Sequence, residues 1–412
     1  MLKTIKSTPG TNMITTDILI IGGGIMGISI ARELNARLPD MRITLIEKES
    51  TVACHASGRN SGVLHAGFYY TADSLKARFT MEGNRLLTGY CLEHGLAIDR
   101  CGKIVVARNE DELKGICELK QRGDRNGVKL DVIDEKDLAE LEPNAKTFGK
   151  ALYSPATSVV KPKEVVEHLA SGLLRKKVNI VCNEKFIKRD GSAAIITNKQ
   201  KIHYKHLVNA AGLYADKVAH QFGVGEKYTL LPFKGIYMEY KDSRHFQRHI
   251  YPVPNLGNPF LGVHFTKTAD GKMKIGPTAI PAFWRENYQG ISHFNLSEFL
   301  EVISAEARLF FTNSFNFRSL ALQEIKKYSR KYFIRQAASL AKNVDVTRFG
   351  GYLTPGIRAQ LLNTEKMNLV MDFVVEQGEN STHTLNAVSP AFTAAFSFSK
   401  HIVDEIEGRL RH

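Results

Sequence analysis

The sequence has few cysteines, and their spacing excludes two kinds of structural cross-link. Its 412 residues include five cysteines, at Cys54, Cys91, Cys101, Cys117 and Cys182. The number is odd and no pair has C-x-x-C spacing, so we expect free thiols in a reducing compartment, with neither a disulfide framework nor a zinc site. The sequence predicts no other metal site.

Long apolar runs are also missing. None reaches the roughly 18 residues that a membrane-spanning helix needs. The nearest, Ile18 to Ala31, is interrupted by glycines, and residues 1–13 are polar with two lysines. A secretory signal would need an apolar segment there, and a transit peptide is the weaker alternative. We therefore expect a cytoplasmic protein with an irregular N-terminal segment.

The sequence has fewer acidic than basic residues. Lys and Arg total 56 against 42 Asp and Glu, which gives a formal net charge of +14. Such a balance is compatible with nucleic acid, anionic lipid or acidic small molecules. Because no recognised nucleic-acid module accompanies it, we do not expect nucleic-acid binding. The length predicts two or three domains, and 43% hydrophobic residues can form a large core.

The stretch "TTDILIIGGGIMGISIARELNARLPDMRITLIEKES" predicts a strand–helix–strand unit. Ile18 to Ile21 is typical of a buried strand, Ile28 to Leu38 of a helix, and Ile43 to Ile46 of a second buried strand. Two strands joined by a helix in this way imply a parallel sheet.

Glycines at the first strand-to-helix turn fit the pattern G-x-G-x-x-G. Gly22 permits the tight turn, Gly24 lets backbone approach a pyrophosphate, and Gly27 lets helix and strand pack closely. The helix N-terminus offers free N–H groups and partial positive charge to phosphates. Glu47 ends the next strand, where an acid would bind ribose hydroxyls and disfavour a 2′-phosphate. An ordinary glycine turn is the alternative; we expect a dinucleotide.

A second polar loop indicates which dinucleotide. The stretch "ACHASGRNSGVLHAGFYY" follows the acid-bearing strand directly and is rich in Gly, Ser, Asn and His. An NAD enzyme does not need such a loop at this point. A flavin enzyme does, because backbone amides must fold around the pyrophosphate and the isoalloxazine edge. The sequence therefore favours FAD.

The rest of the chain predicts an α/β protein in which two units alternate. Helical periodicity covers residues 75–94, 110–127, 165–176, most of 296–342 and about 390–407, and residues 231–281 read as an antiparallel sheet. We expect a Rossmann-like FAD-binding domain, a parallel sheet flanked by helices, from residues 14–85, 151–230 and 346–412. An inserted α+β substrate domain on an antiparallel sheet would comprise residues 86–150 and 231–345.

Seven segments, in order along nearly the whole chain, resemble the FAD-dependent oxidoreductases of the D-amino-acid oxidase class. They are "IIGGGIMGISIARELNAR", "SGRNSGVLHAGFYY", "HLVNAAGLYADKVA", "IYPVPNLGNPFLGVHFT", "KIGPTAIPAFWREN", "GYLTPGIRAQLL" and "NAVSPAFTAAFSFSKHIVDEI". The first and third are general to the class. The histidine-bearing segments and "GIRAQ" resemble one branch of it, which acts on L-2-hydroxyglutarate. Lys234 and Val388 stand where that branch tends to have Arg and Pro.

The resemblance implies an enzyme that oxidises the CH–OH of L-2-hydroxyglutarate, a small dicarboxylate, to 2-oxoglutarate by hydride transfer to flavin N5. Electrons would pass to a quinone, another electron-transfer partner or oxygen. The alternative is a relative acting on another 2-hydroxy acid, glycerol 3-phosphate or an amino acid. The resemblance also implies a set of cofactor contacts. They are Gly22, Gly24, Ile25, Met26, Gly27, Glu47, Lys48, Ser57, Gly58, Arg59, Asn60, Ser61, Gly62, His65, Ala66, Gly67, Lys185, Ala210, Ala211, Gly212, Arg358, Ser389, Pro390, Ala391, Phe392 and Thr393.

Catalysis needs a base for the hydroxyl proton, and histidine is suited to this near neutral pH. His65 and His264 lie in family-like loops. His65 has three alternatives, as flavin tether, substrate contact or base, and either histidine could instead be structural. For the substrate carboxylates we expect Arg59, Lys234 and Arg358, with Arg285 a weaker candidate. Tyr251 could donate to substrate or pack in the core.

A basic segment has two interpretations. Six cations between residues 318 and 335 alternate with aromatic and apolar residues; they are Arg318, Lys326, Lys327, Arg330, Lys331 and Arg335. The segment could contact anionic lipid at the inner face of the cell membrane, so that electrons reach a quinone. It could equally be a solvated basic helix.

Overall fold

The computed structural model describes residues 14–242, 245–255 and 261–410. The expected irregular segment 1–13 lies outside the described residues, as do residues 256–260 of the stretch "IYPVPNLGNPFLGVHFT".

Helices and strands alternate along the chain much as the periodicity predicts. The helices are α1 (Ile25–Arg37), α2 (Leu75–Glu93), α3 (Glu110–Arg125), α4 (Glu135–Leu141), α5 (Pro162–Arg175), α6 (Ala215–His220), α7 (Leu296–Thr312), α8 (Phe317–Lys326), α9 (Arg330–Ala338) and α10 (Ala391–Leu410), with 3₁₀ turns at Gly212–Tyr214, Ser314–Asn316 and Val346–Arg348. The strands are β1 (Ile14–Thr15), β2 (Ile18–Ile21), β3 (Ile43–Glu47), β4 (Val63–Leu64), β5 (Ile98–Asp99), β6 (Lys103–Val106), β7 (Asp131–Asp134), β8 (Lys150–Ser154), β9 (Ser158–Val160), β10 (Asn179–Cys182), β11 (Phe186–Arg189), β12 (Ala194–Thr197), β13 (Lys201–His203), β14 (His206–Asn209), β15 (Tyr228–Gly235), β16 (Met238–Tyr240), β17 (His249–Pro252), β18 (His264–Lys267), β19 (Met273–Gly276), β20 (Ile280–Pro281), β21 (Phe349–Tyr352), β22 (Gly356–Asn363), β23 (Asn368–Leu369), β24 (Val374–Gln377) and β25 (Ser381–Asn386).

A six-stranded sheet in the order β10-β3-β2-β14-β25-β24 forms the first layer. Its strands are parallel except at the β24–β25 edge. Strand β2 is buried on both faces because its side chains alternate between two cores. Ile18 and Ile20 pack with α1, α2, α5 and α10, whereas Leu19 and Ile21 pack towards α6. The predicted parallel sheet flanked by helices is confirmed.

A second sheet of eight strands has the order β21-β16-β19-β18-β17-β6-β8-β7. Neighbouring strands are antiparallel except β17 and β6, which run parallel. One side packs on α9 through Phe333, and the other packs on α3 through Ile116 and Leu119. A four-stranded sheet, β20-β15-β22-β23, adjoins it. Small sheets complete the fold, in the orders β1-β13-β12-β11 and β4-β9-β5.

Two of the expected domain limits fall inside elements of the structure. The limit at residue 85 lies within α2, and Leu87 and Cys91 of that helix belong to the core around α1. The limit at residue 150 lies at the first residue of β8, a strand of the eight-stranded sheet. Phe79 and Leu87 pack in the same core on either side of the expected limit, so α2 belongs to one unit.

The segment between residues 296 and 342 forms three helices, α7 to α9. Its cations do not all face solvent. Arg330 donates to the carbonyls of Phe349 and Gly350, Arg318 donates to the carbonyls of Phe310 and Phe311, and Lys327 pairs with Glu324. Phe333 is buried. Over the described ranges, no helix is long and apolar enough to cross a membrane.

Candidate FAD and substrate site

The glycine turn after β2 is shaped by close backbone contacts. Gly22 has a φ of +112°, and a Cβ on it would lie 2.4 Å from the carbonyl oxygen of Ala210. A Cβ on Gly27 would lie 2.0 Å from the carbonyl oxygen of Gly22. Both positions therefore exclude any side chain, as the G-x-G-x-x-G pattern requires for a tight turn under a closely packed helix.

The N-termini of two helices meet at one cavity. Helix α1 begins at Ile25, whose backbone N–H donates to Ser57 Oγ at 2.9 Å. Helix α10 begins at Ala391, and residues 387–393 line the same cavity of about 440 Å³. A helix N-terminus favours negative charge, and two of them in one cavity suit a ligand that carries phosphates at one end and an electron-accepting ring at the other.

Glu47 stands at the end of β3, against the glycine turn. Its Oε2 accepts from the N–H of Gly23 at 2.7 Å, and its Oε1 accepts from the N–H of Glu49 at 2.9 Å. The carboxylate is therefore fixed in place and lines the cavity with lone pairs to spare. This is the geometry that recognition of ribose hydroxyls needs.

Lys48 is occupied by carboxylates. Its Nζ lies 2.6 Å from Glu286 Oε1 and 2.5 Å from Glu49 Oε1. Burial alone would lower the pKa of Lys48, but these two hydrogen bonds raise it overall. In the described part of the chain, Glu49, His55 and Glu286 are the one group of potential metal ligands whose donor atoms lie within 4.8 Å of one another. Lys48 already pairs with both carboxylates, so we assign this group to ion pairing.

The second polar loop forms another wall. Arg59 Nε donates to the carbonyl of Cys54 at 2.7 Å, and its guanidinium lies 4.1 Å from the Tyr288 ring centroid. Gly62 has a φ of +80°, and a Cβ on it would lie 2.2 Å from the carbonyl oxygen of Val160. This position therefore has no room for a side chain. The loop is thus held by its own backbone and by long-range contacts before any ligand is added.

Most of the predicted cofactor contacts are brought together. The cavity is lined by Gly22, Gly24, Ile25, Met26, Glu47, Lys48, Ser57, Arg59, Asn60, Ser61, His65, Lys185, Ala210, Ala211, Gly212, Arg358, Ser389, Pro390, Ala391, Phe392 and Thr393. Five other predicted contacts are not among the lining residues; they are Gly27, Gly58, Gly62, Ala66 and Gly67. Lys185 uses both backbone groups on Asn198, at 2.7 and 3.0 Å, so its predicted pairing with adenine would have to share them.

The predicted substrate and catalytic residues are more dispersed. His65 and Arg358 line the cavity, and Arg358 Nη1 donates to the carbonyl of Thr278 at 3.0 Å. His264, Lys234 and Tyr251 are buried and do not line it. Lys234 Nζ donates to Asn287 Oδ1 at 3.0 Å, and the Tyr251 ring stacks on His264. Their predicted contacts with substrate stay predictions.

Arg285 is a structural residue. It is 1% exposed and forms a two-pronged ion pair with Asp216, with N–O distances of 2.7 and 2.8 Å. Its guanidinium is therefore committed to this buried pair, which joins the two parts of the molecule, rather than to substrate.

Lys103 is the main site residue that the sequence analysis does not include. It lies on β6, fully buried, with Nζ 3.4 Å from His65 Nδ1. Burial lowers the pKa of Lys103 to about 7. The signal was present in the sequence as one charged residue within the apolar run "KIVV". Tyr237, Tyr288 and Glu286 also contribute to the site, and only long-range pairing brings them there.

Two helix N-termini, a glycine turn with no room for side chains and a fixed carboxylate around one cavity are typical of a dinucleotide-binding flavoprotein. A family model described as FAD dependent oxidoreductase matches residues 17–404. The chain belongs to this family of FAD-dependent oxidoreductases.

Relatives and solved structures agree with the assignment. The chain is 34% identical over 399 residues to L-2-hydroxyglutarate dehydrogenase of Escherichia coli strain K12, covering 95% of this chain and 93% of that protein. It is 32% identical to the mitochondrial L-2-hydroxyglutarate dehydrogenase of Homo sapiens, covering 95% and 89%. The fold is similar to that of L-alpha-glycerophosphate oxidase from Mycoplasma pneumoniae with FAD bound, at a TM-score of 0.75 and 21% identity, over 96% and 95% of the two chains. The protein is an FAD-dependent enzyme.

Proposed function

We propose that this protein oxidises L-2-hydroxyglutarate to 2-oxoglutarate. The observation that carries the proposal is a basic cluster beside the cavity, formed by Lys103, Arg358, His65 and His264. A substrate with two carboxylates would bring negative charge to Lys103 and Arg358, and charge-assisted hydrogen bonds are strong where water is excluded. The near full-length similarity to the named dehydrogenases supports the same substrate.

We assign the ADP half of FAD to the glycine turn, Glu47 and Lys48, with the pyrophosphate at the N-terminus of α1. The flavin ring would extend to His65, Arg358 and the N-terminus of α10. Bound FAD supplies the two-electron oxidant that takes the hydride from the substrate carbon. The protein's own residues bind the carboxylates, exclude water and accept the hydroxyl proton.

Both candidate bases are held neutral. Burial, followed by the nearby Lys103 charge, lowers the pKa of His65 well below its usual value. Burial also lowers the pKa of His264 well below its usual value. A neutral imidazole can accept a proton, so at physiological pH both rings are in the form that a general base requires.

The substrate assignment is tested by flavin reduction without oxygen. Purified protein that carries FAD is mixed anaerobically with L-2-hydroxyglutarate, its D enantiomer, glycerol 3-phosphate, glycine and L-proline in turn. We expect L-2-hydroxyglutarate to bleach the yellow absorbance fastest. Faster reduction by the phosphate or by an amino acid would contradict the proposal while leaving the flavoprotein assignment intact.

We further propose that the enzyme contacts anionic membrane surfaces through α7 and its surroundings, so that electrons reach a quinone. An apolar stripe on α7 faces outward: Leu300 is 58% exposed and Phe311 76% exposed, with Ile291 nearby at 85%. Lys326, Lys331 and Arg335 are exposed on the following helices. Exposed apolar residues beside cations are the composition of an interfacial helix.

A further inference from the structure

Lys103 sits in a cage of aromatic rings. Its Nζ lies 5.4, 4.9 and 4.5 Å from the ring centroids of Phe68, Tyr69 and Tyr251. Among the residues that the structure describes, no carboxylate forms an ion pair with it. Aromatic faces attract a cation most strongly where water is absent. The aromatic rings therefore hold the ammonium group, and its N–H groups remain available for nearby hydrogen-bond acceptors.

Three buried histidines surround this lysine, and the first has both ring nitrogens in use. His249 Nδ1 accepts from the backbone N–H of Lys267 at 3.1 Å, so its proton is on Nε2. That Nε2–H faces Cys101 Sγ at 3.4 Å. His249 is consequently a structural residue with no nitrogen left for a ligand.

His264 has the opposite tautomer. Its Nδ1 lies 2.7 Å from the carbonyl oxygen of Gly262, which can only accept, so Nδ1 carries the proton. The ring is fixed by stacking on Tyr251, with centroids 3.6 Å apart. A neutral imidazole with a proton on Nδ1 keeps its lone pair on Nε2. His264 is thus a proton acceptor.

Lys103 determines the tautomer of the His65 ring. Its Nδ1 lies 3.4 Å from Lys103 Nζ, and an ammonium group can only donate. While Lys103 is charged, Nδ1 must therefore accept, which places the proton of the neutral ring on Nε2. The backbone of His65 is fixed on both sides, because its N–H donates to Thr393 Oγ1 at 3.1 Å and its carbonyl accepts from Asn84 Nδ2 at 3.2 Å.

We propose that Lys103 is a positioning residue that makes His65 a hydrogen-bond donor to the substrate and thereby leaves His264 as the acceptor of the hydroxyl proton. This inference rests on the proposed function. When the substrate O–H bond breaks, its proton goes to Nε2 of His264, and the hydride of the adjacent carbon goes to bound FAD. The substrate thus loses two electrons and two hydrogens and becomes a ketone. His65 keeps its proton and donates to a substrate oxygen.

The arrangement depends on the charge of Lys103. Burial lowers the pKa of Lys103, and the neighbouring Cys101 acts in the opposite direction. The other titratable groups that face it are His65, His249, His264, Tyr69 and Tyr251. Bound dicarboxylate would raise the pKa of Lys103, because negative charge favours the ammonium form. Substrate binding therefore keeps Lys103 charged, and charged Lys103 favours the His65 tautomer that donates from Nε2.

The test is the tautomer of each histidine, read by long-range ¹H–¹⁵N correlation on FAD-loaded protein labelled with [¹⁵N]histidine. Signals are assigned with His65→Gln and His264→Gln. We expect His65 to carry its proton on Nε2 and His264 on Nδ1. In Lys103→Met the ¹⁵N signal of His65 Nδ1 should move downfield, towards the chemical shift of a ring nitrogen that accepts no hydrogen bond. Lys274→Met, which removes a partly buried lysine of the same sheet, should leave His65 unchanged.

Kinetics give a second readout. Lys103→Met should retain FAD, but substrate should reduce that FAD at least tenfold more slowly. The unaltered enzyme should lose rate as Lys103 loses its proton at alkaline pH, and this fall should be absent from Lys103→Met. His264→Ala should also slow reduction more than tenfold with FAD still bound. The inference is overturned if His65 carries its proton on Nδ1, or if His264→Ala reduces its flavin at the original rate. The spectrum of the unaltered protein needs no substrate when it is recorded below the pKa of Lys103, so it decides the tautomers even if the variants lose FAD or L-2-hydroxyglutarate proves not to be the substrate.

Discussion

The backbone N–H of Gly23 donates to Oε2 of Glu47 across 2.7 Å, so the acid that ends β3 is tied to the glycine turn that follows β2. One hydrogen bond thus joins the two parts of the cavity to which we assign the phosphates and the ribose. The two features are 24 residues apart in the chain, and the parallel pairing of β2 and β3 places them side by side.

Glu47→Gln should weaken FAD binding by about 10- to 100-fold. The amide oxygen can still accept from Gly23, whereas the charged acceptor for ribose hydroxyls is lost, and a hydrogen bond to a charged group contributes roughly 1.5–3 kcal/mol. The dissociation constant is measured by flavin fluorescence on titration of the stripped protein. The exposed Glu140→Gln serves as control and should bind FAD normally. An unchanged constant for Glu47→Gln would remove the acid from the cofactor site.

Gly27→Ala should lower the free energy of unfolding by more than about 3 kcal/mol, because the new Cβ would meet the carbonyl oxygen of Gly22 at 2.0 Å. Gly89→Ala, on the exposed side of α2 with nothing within 4 Å of the new Cβ, should instead stabilise the protein by roughly 1 kcal/mol. Chemical denaturation of both variants makes the comparison. Equal stability of the two would show that the turn tolerates a side chain.

The protein should lose stability as the pH falls from about 6.5 to 4. Burial lowers the pKa of His206 to about 4 and that of His383 to about 3. In this window the unfolded chain binds protons that the folded chain excludes, so stability decreases with acid, by up to about 1.4 kcal/mol per pH unit for each histidine. His206→Gln should reduce that slope, whereas His245→Gln at the surface should not. A His206→Gln protein with the original slope would contradict the neutral state of the buried ring.

Leu300→Ser combined with Phe311→Ser should reduce binding to vesicles that contain anionic phosphatidylserine, as measured by co-sedimentation. These side chains provide the outward apolar stripe of α7, and each buried apolar group contributes to interfacial binding. Leu92→Ser removes a comparably exposed leucine, 54% accessible, from a different helix and should bind like the unaltered protein. If the unaltered protein does not sediment with these vesicles, the proposed membrane contact is wrong.

Local patterns predicted one half of the site well, and long-range pairing decided the other half. Gly22, Gly27 and Glu47 can be read from spacing because one strand–helix–strand unit contains them all. Lys103 could not be predicted from spacing, because its position in the site depends on the pairing of β6 with the distant β17. In that pairing Lys103 lies opposite His249. No periodicity in the sequence specifies that register.

The same reasoning explains Arg285 and Lys234. Each was considered for substrate binding because a dicarboxylate needs cationic partners, yet each has a protein partner in the structure, Asp216 and Asn287 respectively. A charged residue in a loop is free for a ligand only if no other element supplies a partner. That depends on which parts of the chain pack together, which the sequence alone does not show.

The central claim is tested most directly by one anaerobic single-turnover measurement. FAD-loaded protein is mixed with excess L-2-hydroxyglutarate, and loss of flavin absorbance is recorded together with the 2-oxoglutarate formed. The account predicts that the flavin is fully bleached and that one molecule of 2-oxoglutarate appears for each flavin reduced. A flavin that stays yellow, or bleaching without 2-oxoglutarate, would contradict it.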